Sequence, residues 1–195
     1  MNSFLNEPIS ELTDLFRPYM EGVGSVIDIG TGTSIPIHIF ADSFPAVKFY
    51  TTDIDDQRQR KELPFILYDG ITLPFGNQEF DVSVLNETLH HCENPETVLR
   101  EAHRVAKAVF VVEHFPDPGV SMEELVKGEF STLEVLDLEC SVYNPFDEDS
   151  LLSLYKKLEL EIKKKFEIPY FGNRKIKKYF FKLVGMMESF CELAL

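Results

Sequence analysis

A glycine-containing turn and a downstream aspartate are the residues whose types and spacing point most clearly to chemistry. The stretch VIDIGTGTS at residues 26–34 is an apolar run leading into a turn with glycine at positions 30 and 32. Glycine there lets a ligand approach the backbone, and the helix that should follow presents unpaired N–H groups. Asp53 lies 21 residues after Gly32, where an acid can accept both hydroxyls of a ribose. A nucleoside site is one interpretation, and a purely structural turn is the other.

The same turn bears on which nucleotide would bind. Dinucleotide-dependent dehydrogenases usually carry G-x-G-x-x-G after the first strand. Here the run is G-T-G-T-S-I, so Ile35 stands where the last glycine would be. This departure counts against a nicotinamide cofactor without excluding one.

Predicted strands and helices alternate along residues 25–112, and the sheet that they form brings the glycine turn and Asp53 to the same edge. Apolar runs predict strands, whereas apolar residues at helical spacing predict helices. The predicted strands are 25–29, 46–52, 65–68, 81–85 and 108–112, and the predicted helices are 9–20, 31–44 and 95–106. The alternation favours an α/β fold with a Rossmann-like, doubly wound and mostly parallel sheet. Ligands of such sheets bind at the carboxyl ends of the strands. Those ends hold Asp28–Gly32, Asp53, Asp69–Gly70, Asn86 and Glu113–His114.

The last third of the chain follows a different pattern. Residues 147–158 have helical spacing, and residues 158–168 alternate apolar with charged side chains, as in a half-buried strand. Residues 177–184 predict an antiparallel return strand, with a helix as the rival interpretation. With the return strand, the sheet has seven strands and ends in an antiparallel pair.

Connection lengths suggest how the chain is organised. Residues 116–150 are long for a connection and predict a lid or substrate insertion, or alternatively a solvated helical insert. Residues 54–64 are short for a crossover between parallel strands, so a helix there should be reduced. We expect one domain over residues 1–195, with a cofactor-binding core at 22–115 and a C-terminal helix and strand pair at 151–195.

The charge excludes some classes of partner. Nineteen basic and thirty-three acidic residues give a net charge of −14, which makes nucleic acid an unfavourable partner. Acids concentrate in residues 117–149, where a cationic or neutral substrate fits better than a polyanion, and bases concentrate in residues 156–182. The basic segment 163–182 could contact an anionic membrane surface. We favour a strand pair with exposed lysines, which discourages edge pairing.

Cysteine content and hydropathy limit the protein class further. Three widely spaced cysteines exclude a disulfide scaffold and a CxxC-type zinc site. The sequence has neither a membrane-length apolar run nor a basic-then-apolar leader. We therefore expect a cytoplasmic protein.

Further motifs follow the glycine turn in a specific order. They are Asp69 with Leu73-Pro74-Phe75, Phe80-Asp81, Leu89-His90-His91, Pro95, and Leu99 through Arg104. Together with Asp28, Gly30, Gly32 and Asp53, they resemble the class I S-adenosylmethionine-dependent methyltransferases, in particular the small-molecule, type 11-like branch. The resemblance covers roughly residues 22–115.

The resemblance implies a cofactor, S-adenosylmethionine, and a role for each matching residue. Gly30 and Gly32 would let the methionine part lie against the backbone, and Asp28 would organise its amino group. Asp53 would bind the ribose, and Ile54 would pack against the adenine. Asp69 would meet the adenine amino group, with Gly70 keeping that edge open.

The methyl acceptor should be a small molecule held at the end of the fourth strand. Asn86 would lie near the methyl group, and a hydroxyl or protonated amine acceptor needs a base. His91 and His114 are the candidate catalytic residues beside Asn86, and Glu87 and Glu113 are further candidate bases. His90 and His91 are alternatively packing histidines. No metal is expected, because the sequence suggests no third ligand near them.

Two departures from the family pattern leave alternatives open. Ser34 stands where many relatives have glycine, and Lys107-Ala108 replaces a Pro-Gly-Gly turn. They motivate a second hypothesis, in which the protein binds S-adenosylmethionine as an inactive sensor or partner subunit. A nicotinamide-dependent oxidoreductase is the third.

Overall fold

The computed structural model describes residues 13–136, 139–168 and 176–185. Its strands are β1 (Ser25–Ile29), β2 (Lys48–Asp53), β3 (Phe65–Leu67), β4 (Phe80–Asn86), β5 (Ala106–Pro116), β6 (Leu160–Ile168) and β7 (Ile176–Gly185). Its α-helices are α1 (Ile35–Ser43), α2 (Pro95–Val105), α3 (Met122–Leu136) and α4 (Glu148–Lys157). Short 3-10 helices cover Arg17–Tyr19 and Leu89–His91.

The seven strands form one sheet in the order β3-β2-β1-β4-β5-β7-β6. Strands β1 to β5 pair in parallel, whereas β7 pairs antiparallel with both β5 and β6. The strand order therefore reverses beside β1, which has β2 on one side and β4 on the other. Such a switch point opens a crevice at the carboxyl ends of the strands. The predicted Rossmann-like sheet with an antiparallel C-terminal pair is confirmed.

Both faces of the sheet are covered by apolar side chains. Neighbouring residues of one strand point to opposite faces, so Phe181 joins the cluster around Leu99 and Phe180 joins the cluster around Phe16. Because both faces are buried, β1 and β5 have nearly continuous apolar sequences rather than alternating ones. This rigid centre carries the strand ends on which the cleft is built.

Several element boundaries differ from the sequence expectation. Strand β5 runs to Pro116. Its pairing with β4 ends at Val112, opposite Asn86, but its pairing with β7 continues to Pro116. Residues 177–184 belong to a strand, so the rival helix is wrong. Helix α3 occupies Met122–Leu136 within the insertion expected at residues 116–150.

The loop after β2 agrees with the sequence expectation, and side chains cap two of the helices. The loop 54–64 contains no helix, as its short length indicates. Asn94 caps α2 by accepting a hydrogen bond from Thr97 N at 3.1 Å, and Asp147 caps α4. Of the predicted helix 9–20, residues 13–16 are helical and lead into the 3-10 helix, and residues 9–12 lie outside the described residues. Within the described residues, no helix combines the length and apolar character that crossing a membrane requires.

Candidate functional site

A cleft of about 1600 Å³ lies over the carboxyl ends of β1, β2 and β4. The predicted cofactor residues that line it are Gly30, Gly32, Asp53, Ile54, Asp69, Gly70 and Asn86. Asp28 does not line the cleft and is buried at the end of β1. The topology thus brings together residues from four separate parts of the chain.

The Asp53 carboxylate is held in place by the backbone on both sides of the cleft. Its Oδ2 atom accepts a hydrogen bond from Gly32 N at 2.8 Å, and its Oδ1 atom accepts one from Ile54 N at 2.8 Å. Burial raises the pKa of Asp53, and these backbone hydrogen bonds oppose the shift. Asp53 therefore orients the glycine turn as well as offering its remaining lone pairs to a ligand.

Asp28 is a buried acid at the base of the glycine turn. Burial raises its pKa to about 7, the Thr31 side chain opposes the shift, and the charge of Asp53 adds to it. The carboxyl group is thus poised between its two protonation states near neutral pH. A cation placed nearby would favour the ionised form.

The far end of the cleft combines an acid with exposed apolar side chains. Asp69 Oδ1 accepts hydrogen bonds from Thr72 N at 2.7 Å and Ile71 N at 2.8 Å, which lower the pKa of Asp69. Ile54 and Ile71 are each 62% exposed and both line the cleft. Apolar walls beside a fixed polar group suit a flat heterocycle.

The turn itself depends on a close contact between two loops. Gly30 has φ +75°, and a Cβ built on it would lie 2.3 Å from Thr88 Cγ2. Thr88 Oγ1 donates to Ile29 O at 3.2 Å, which ties the end of β4 to the end of β1. Gly30 is therefore required by packing, independently of any ligand.

The two departures from the family pattern have local explanations. Ser34 has φ +60°, a conformation that favours glycine, and its hydroxyl donates to Arg60 O at 2.6 Å. Lys107 forms an ion pair with Asp81, with Nζ 2.7 Å from Oδ1, at a direct junction between α2 and β5. Neither residue obstructs the cleft.

The candidate catalytic residues separate into two groups. Asn86, Glu87 and His91 line the cleft, whereas Glu113 and His114 do not. Because β5 continues to Pro116, Glu113 and His114 lie inside a strand and not at its end, which corrects the expected position. His114 instead lines a small buried cavity beside the cleft.

Three histidines surround one carboxylate from the insertion. The Nε2 atoms of His90 and His91 lie 3.9 Å and 3.8 Å from Glu129 Oε1. The Nε2 atom of His114 lies 3.5 Å from Glu129 Oε2. Burial lowers the pKa of His90, but Glu113 and Glu129 outweigh this effect and raise it to about 10.

Glu129 and Lys178 are site residues that the sequence analysis missed. Glu129 comes from α3 and is one acid among many in its segment. Lys178 comes from β7, lines the cleft, and places Nζ 3.2 Å from Glu87 Oε1. No local spacing connects either residue to the strand ends, so only tertiary packing reveals them.

Comparison with known proteins finds a family model and a relative that are similar to part of the chain. Residues 27–109 match the family model described as a methyltransferase domain. MJ1123, an uncharacterized protein of Methanocaldococcus jannaschii, is 33% identical over 102 residues, which are 50% of this chain and 46% of that protein. The chain thus spans about half the length of this relative.

Solved structures share the fold over most of the chain. The PH0226 protein from Pyrococcus horikoshii superposes with a TM-score of 0.68 at 18% identity, covering 94% of this chain and 92% of that one. A structure from Methanosarcina mazei described as an S-adenosylmethionine-dependent methyltransferase has a TM-score of 0.64 at 16% identity, covering 89% and 98%. Identities this low establish a common fold only.

Proposed function

We propose that the protein transfers a methyl group from S-adenosylmethionine to a small molecule, and the match of residues 27–109 to the model of a methyltransferase domain supports this proposal. The observation that carries the proposal is the Asp53 carboxylate, fixed by Gly32 and Ile54 at the switch point of the sheet. The family match spans Asp28, Asp53 and Asp69.

The residues present fit this cofactor. The backbone of Gly30 and Gly32 lines the cleft, where the methionine part can lie against it, and the buried Asp28 lies behind this lining and favours the ligand ammonium group through its charge. Asp53 has lone pairs left for the ribose hydroxyls. The cleft is large enough for a nucleoside, at about 1600 Å³.

The adenine is proposed to lie at the far end of the cleft. Ile54 and Ile71 supply apolar walls that are exposed to solvent. One oxygen of Asp69 is committed to backbone N–H groups, and the other can accept from the adenine amino group. Gly70 keeps that edge free of a side chain.

When bound, S-adenosylmethionine supplies an electrophilic methyl group on a sulfonium centre. The protein has to hold the acceptor atom in line with it, at roughly 3 Å. Asn86 and His91 line the cleft, and we assign them to acceptor positioning. His114 lies outside the cleft lining and contacts two lining residues, Glu87 and Glu129, so we assign it a supporting role.

The acceptor is proposed to be small because the insertion encloses the acceptor side. Helix α3 contributes Glu129 and Leu133 to the cleft lining, and the following segment contributes Cys140 and Tyr143. The net charge of −14 and the acidic segment 117–149 favour a neutral or cationic acceptor over a polyanion.

Calorimetry followed by a turnover assay tests the proposal. S-adenosylhomocysteine should bind with one site per chain, and NADH should not. A panel of small hydroxyl, amine and carbon acceptors should then yield S-adenosylhomocysteine above the blank without acceptor. Tight binding without turnover across the panel would instead support the inactive sensor, and binding of NADH alone would support the oxidoreductase.

The pKa of Asp28 predicts that cofactor binding depends on pH. In the free protein this pKa is about 7, so the carboxyl group is mostly protonated below that pH. The ligand ammonium favours the carboxylate, so binding should release a proton and tighten with rising pH. Affinity for S-adenosylhomocysteine should increase on the order of tenfold between about pH 5.5 and about pH 7.5.

Calorimetry in two buffers of different ionisation enthalpy measures this proton release. The Asp28→Asn variant serves as the control, because it keeps the shape of the side chain and cannot ionise. Its affinity should be nearly independent of pH over that range. An equal pH slope in both proteins would assign the proton to another group.

A further inference from the structure

Three side chains around the acceptor side of the cleft have the composition and spacing of metal ligands. They are His90 and His91, from the 3-10 helix after β4, and Glu129, from α3. One ligand atom from each lies within 4.8 Å of the ligand atoms of the other two. The sequence offers only the two histidines, and the packing of α3 supplies the third group.

The distances between these atoms are too long for hydrogen bonds and close to those across a metal ion. The Nε2 atoms of His90 and His91 lie 3.9 Å and 3.8 Å from Glu129 Oε1. Tetrahedral zinc with bonds of 2.0–2.2 Å separates its ligand atoms by about 3.3 Å. A contraction of about 0.5 Å at each contact would therefore reach bonding geometry.

The second nitrogen of each histidine ring is already engaged. His90 Nδ1 lies 2.6 Å from Glu113 Oε2, and His91 Nδ1 lies 2.8 Å from Ser141 O. Ser141 O can only accept, and Glu113 also accepts from Leu89 N, so we assign each Nδ1 as a donor and each Nε2 as the atom left to bind a metal ion. On His90 that ion would take the place of a proton. Metal-binding histidines typically show this pairing with a carboxylate or a backbone carbonyl.

His90 Nε2 provides an independent indication of a ligand. This atom is buried and has no hydrogen-bond partner among the residues that the structure describes. The ring is 3% exposed, so bulk water does not compensate for the missing bond. A buried polar atom without a partner is costly unless another group binds it.

We propose that His90, His91 and Glu129 bind a divalent first-row transition-metal ion, with zinc as the best match to two nitrogen ligands and one oxygen ligand. Three protein ligands leave a fourth position for water or a substrate atom. His91 and Glu129 also line the cleft, so that position is accessible from the acceptor side. Metal binding itself does not depend on the proposed methyl transfer.

The surrounding residues support the site without completing it. Glu113 accepts from Leu89 N at 2.8 Å as well as from His90, and thereby fixes the 3-10 helix to β5. His114 approaches the other oxygen of Glu129 and is bonded through Nδ1 to Glu87 Oε2 at 2.5 Å. These are positioning residues in the proposed site.

Titration of chelator-treated protein with zinc chloride and cobalt chloride tests the proposal. Calorimetry should give one ion per chain. Cobalt should produce the intense visible absorption of four- or five-coordinate Co²⁺ and no near-ultraviolet thiolate band. Both measurements are made without S-adenosylmethionine, so a failure of the proposed methyl transfer does not affect them.

Two variants and a matched control identify the ligands. Glu129→Gln and His91→Asn should each weaken zinc binding at least tenfold, and circular dichroism should show that the fold is retained. Glu134→Gln removes an exposed acid from the same helix and should bind as the unmodified protein does. The absence of saturable binding in the folded protein would overturn the proposal. So would unchanged affinity in both ligand variants, or a thiolate band implicating Cys92 or Cys140.

Discussion

Replacing Asp53 by alanine should weaken binding of S-adenosylhomocysteine by about 1.5–3 kcal/mol, or roughly 10- to 150-fold. The variant loses the carboxylate proposed to bind the ribose hydroxyls. It also leaves Gly32 N and Ile54 N without their acceptor. Both effects act in the same direction, because the freed glycine turn is no longer held in the binding conformation.

Isothermal titration calorimetry at a fixed pH measures the loss. Asp42→Ala is the matched control, since it removes the same charge from an exposed residue that pairs with Arg60 and does not line the cleft. Asp69→Ala should cost less than Asp53→Ala, because Asp69 is exposed and water competes for its hydrogen bonds. Unchanged affinity in Asp53→Ala would refute the ribose assignment, and the reverse order of the two losses would move the adenine elsewhere.

Replacing Gly30 by alanine should destabilise the protein by about 3 kcal/mol. The residue has φ +75°, which costs a side chain about 1–2 kcal/mol. The added Cβ would also lie 2.3 Å from Thr88 Cγ2, so one of the two loops must shift. Urea unfolding followed by circular dichroism measures the difference.

Two further variants separate the backbone strain from the clash. Gly22 has φ +77°, and a Cβ added there would have nothing within 4 Å, so Gly22→Ala should show the backbone cost alone. Thr88→Ser removes the clashing methyl group and keeps the hydroxyl that bonds Ile29 O. It should recover part of the loss in the Gly30→Ala background. Equal destabilisation by the two glycine variants would show that the loop contact is not tight.

The parts of the cleft that the sequence predicts are those in which a strand leads directly into a turn. Gly30, Gly32 and Asp53 each stand at or just after the end of a short apolar run, and chain adjacency fixes their positions. The alternation of strands and helices then predicts that these apolar runs are the strands of a single sheet. Local pattern therefore suffices for the fold class and for the positions of the residues proposed to bind the cofactor.

The acceptor half depends on contacts between distant segments. Glu129 reaches the histidines through the packing of α3, and Lys178 reaches Glu87 through the pairing of β7. No spacing rule encodes either contact. The length of α3 also depends on packing. Gly128 in the middle of this segment favours a break in the helix, but Leu125 and Leu133 on either side of it are both buried and hold the helix against the rest of the protein. Likewise, the end of β5 is decided by its pairing with β7 and not by its own residues.

The exposed isoleucines at the far end of the cleft affect how the protein behaves in solution. Ile54 and Ile71 present an apolar surface to water when no nucleoside covers it. The net charge of −14 keeps copies of the chain apart, and added salt screens that repulsion. Under the proposed function, ligand-free protein should therefore self-associate more readily in high salt than protein whose cleft holds a nucleoside, and adding a nucleoside during purification should favour solubility.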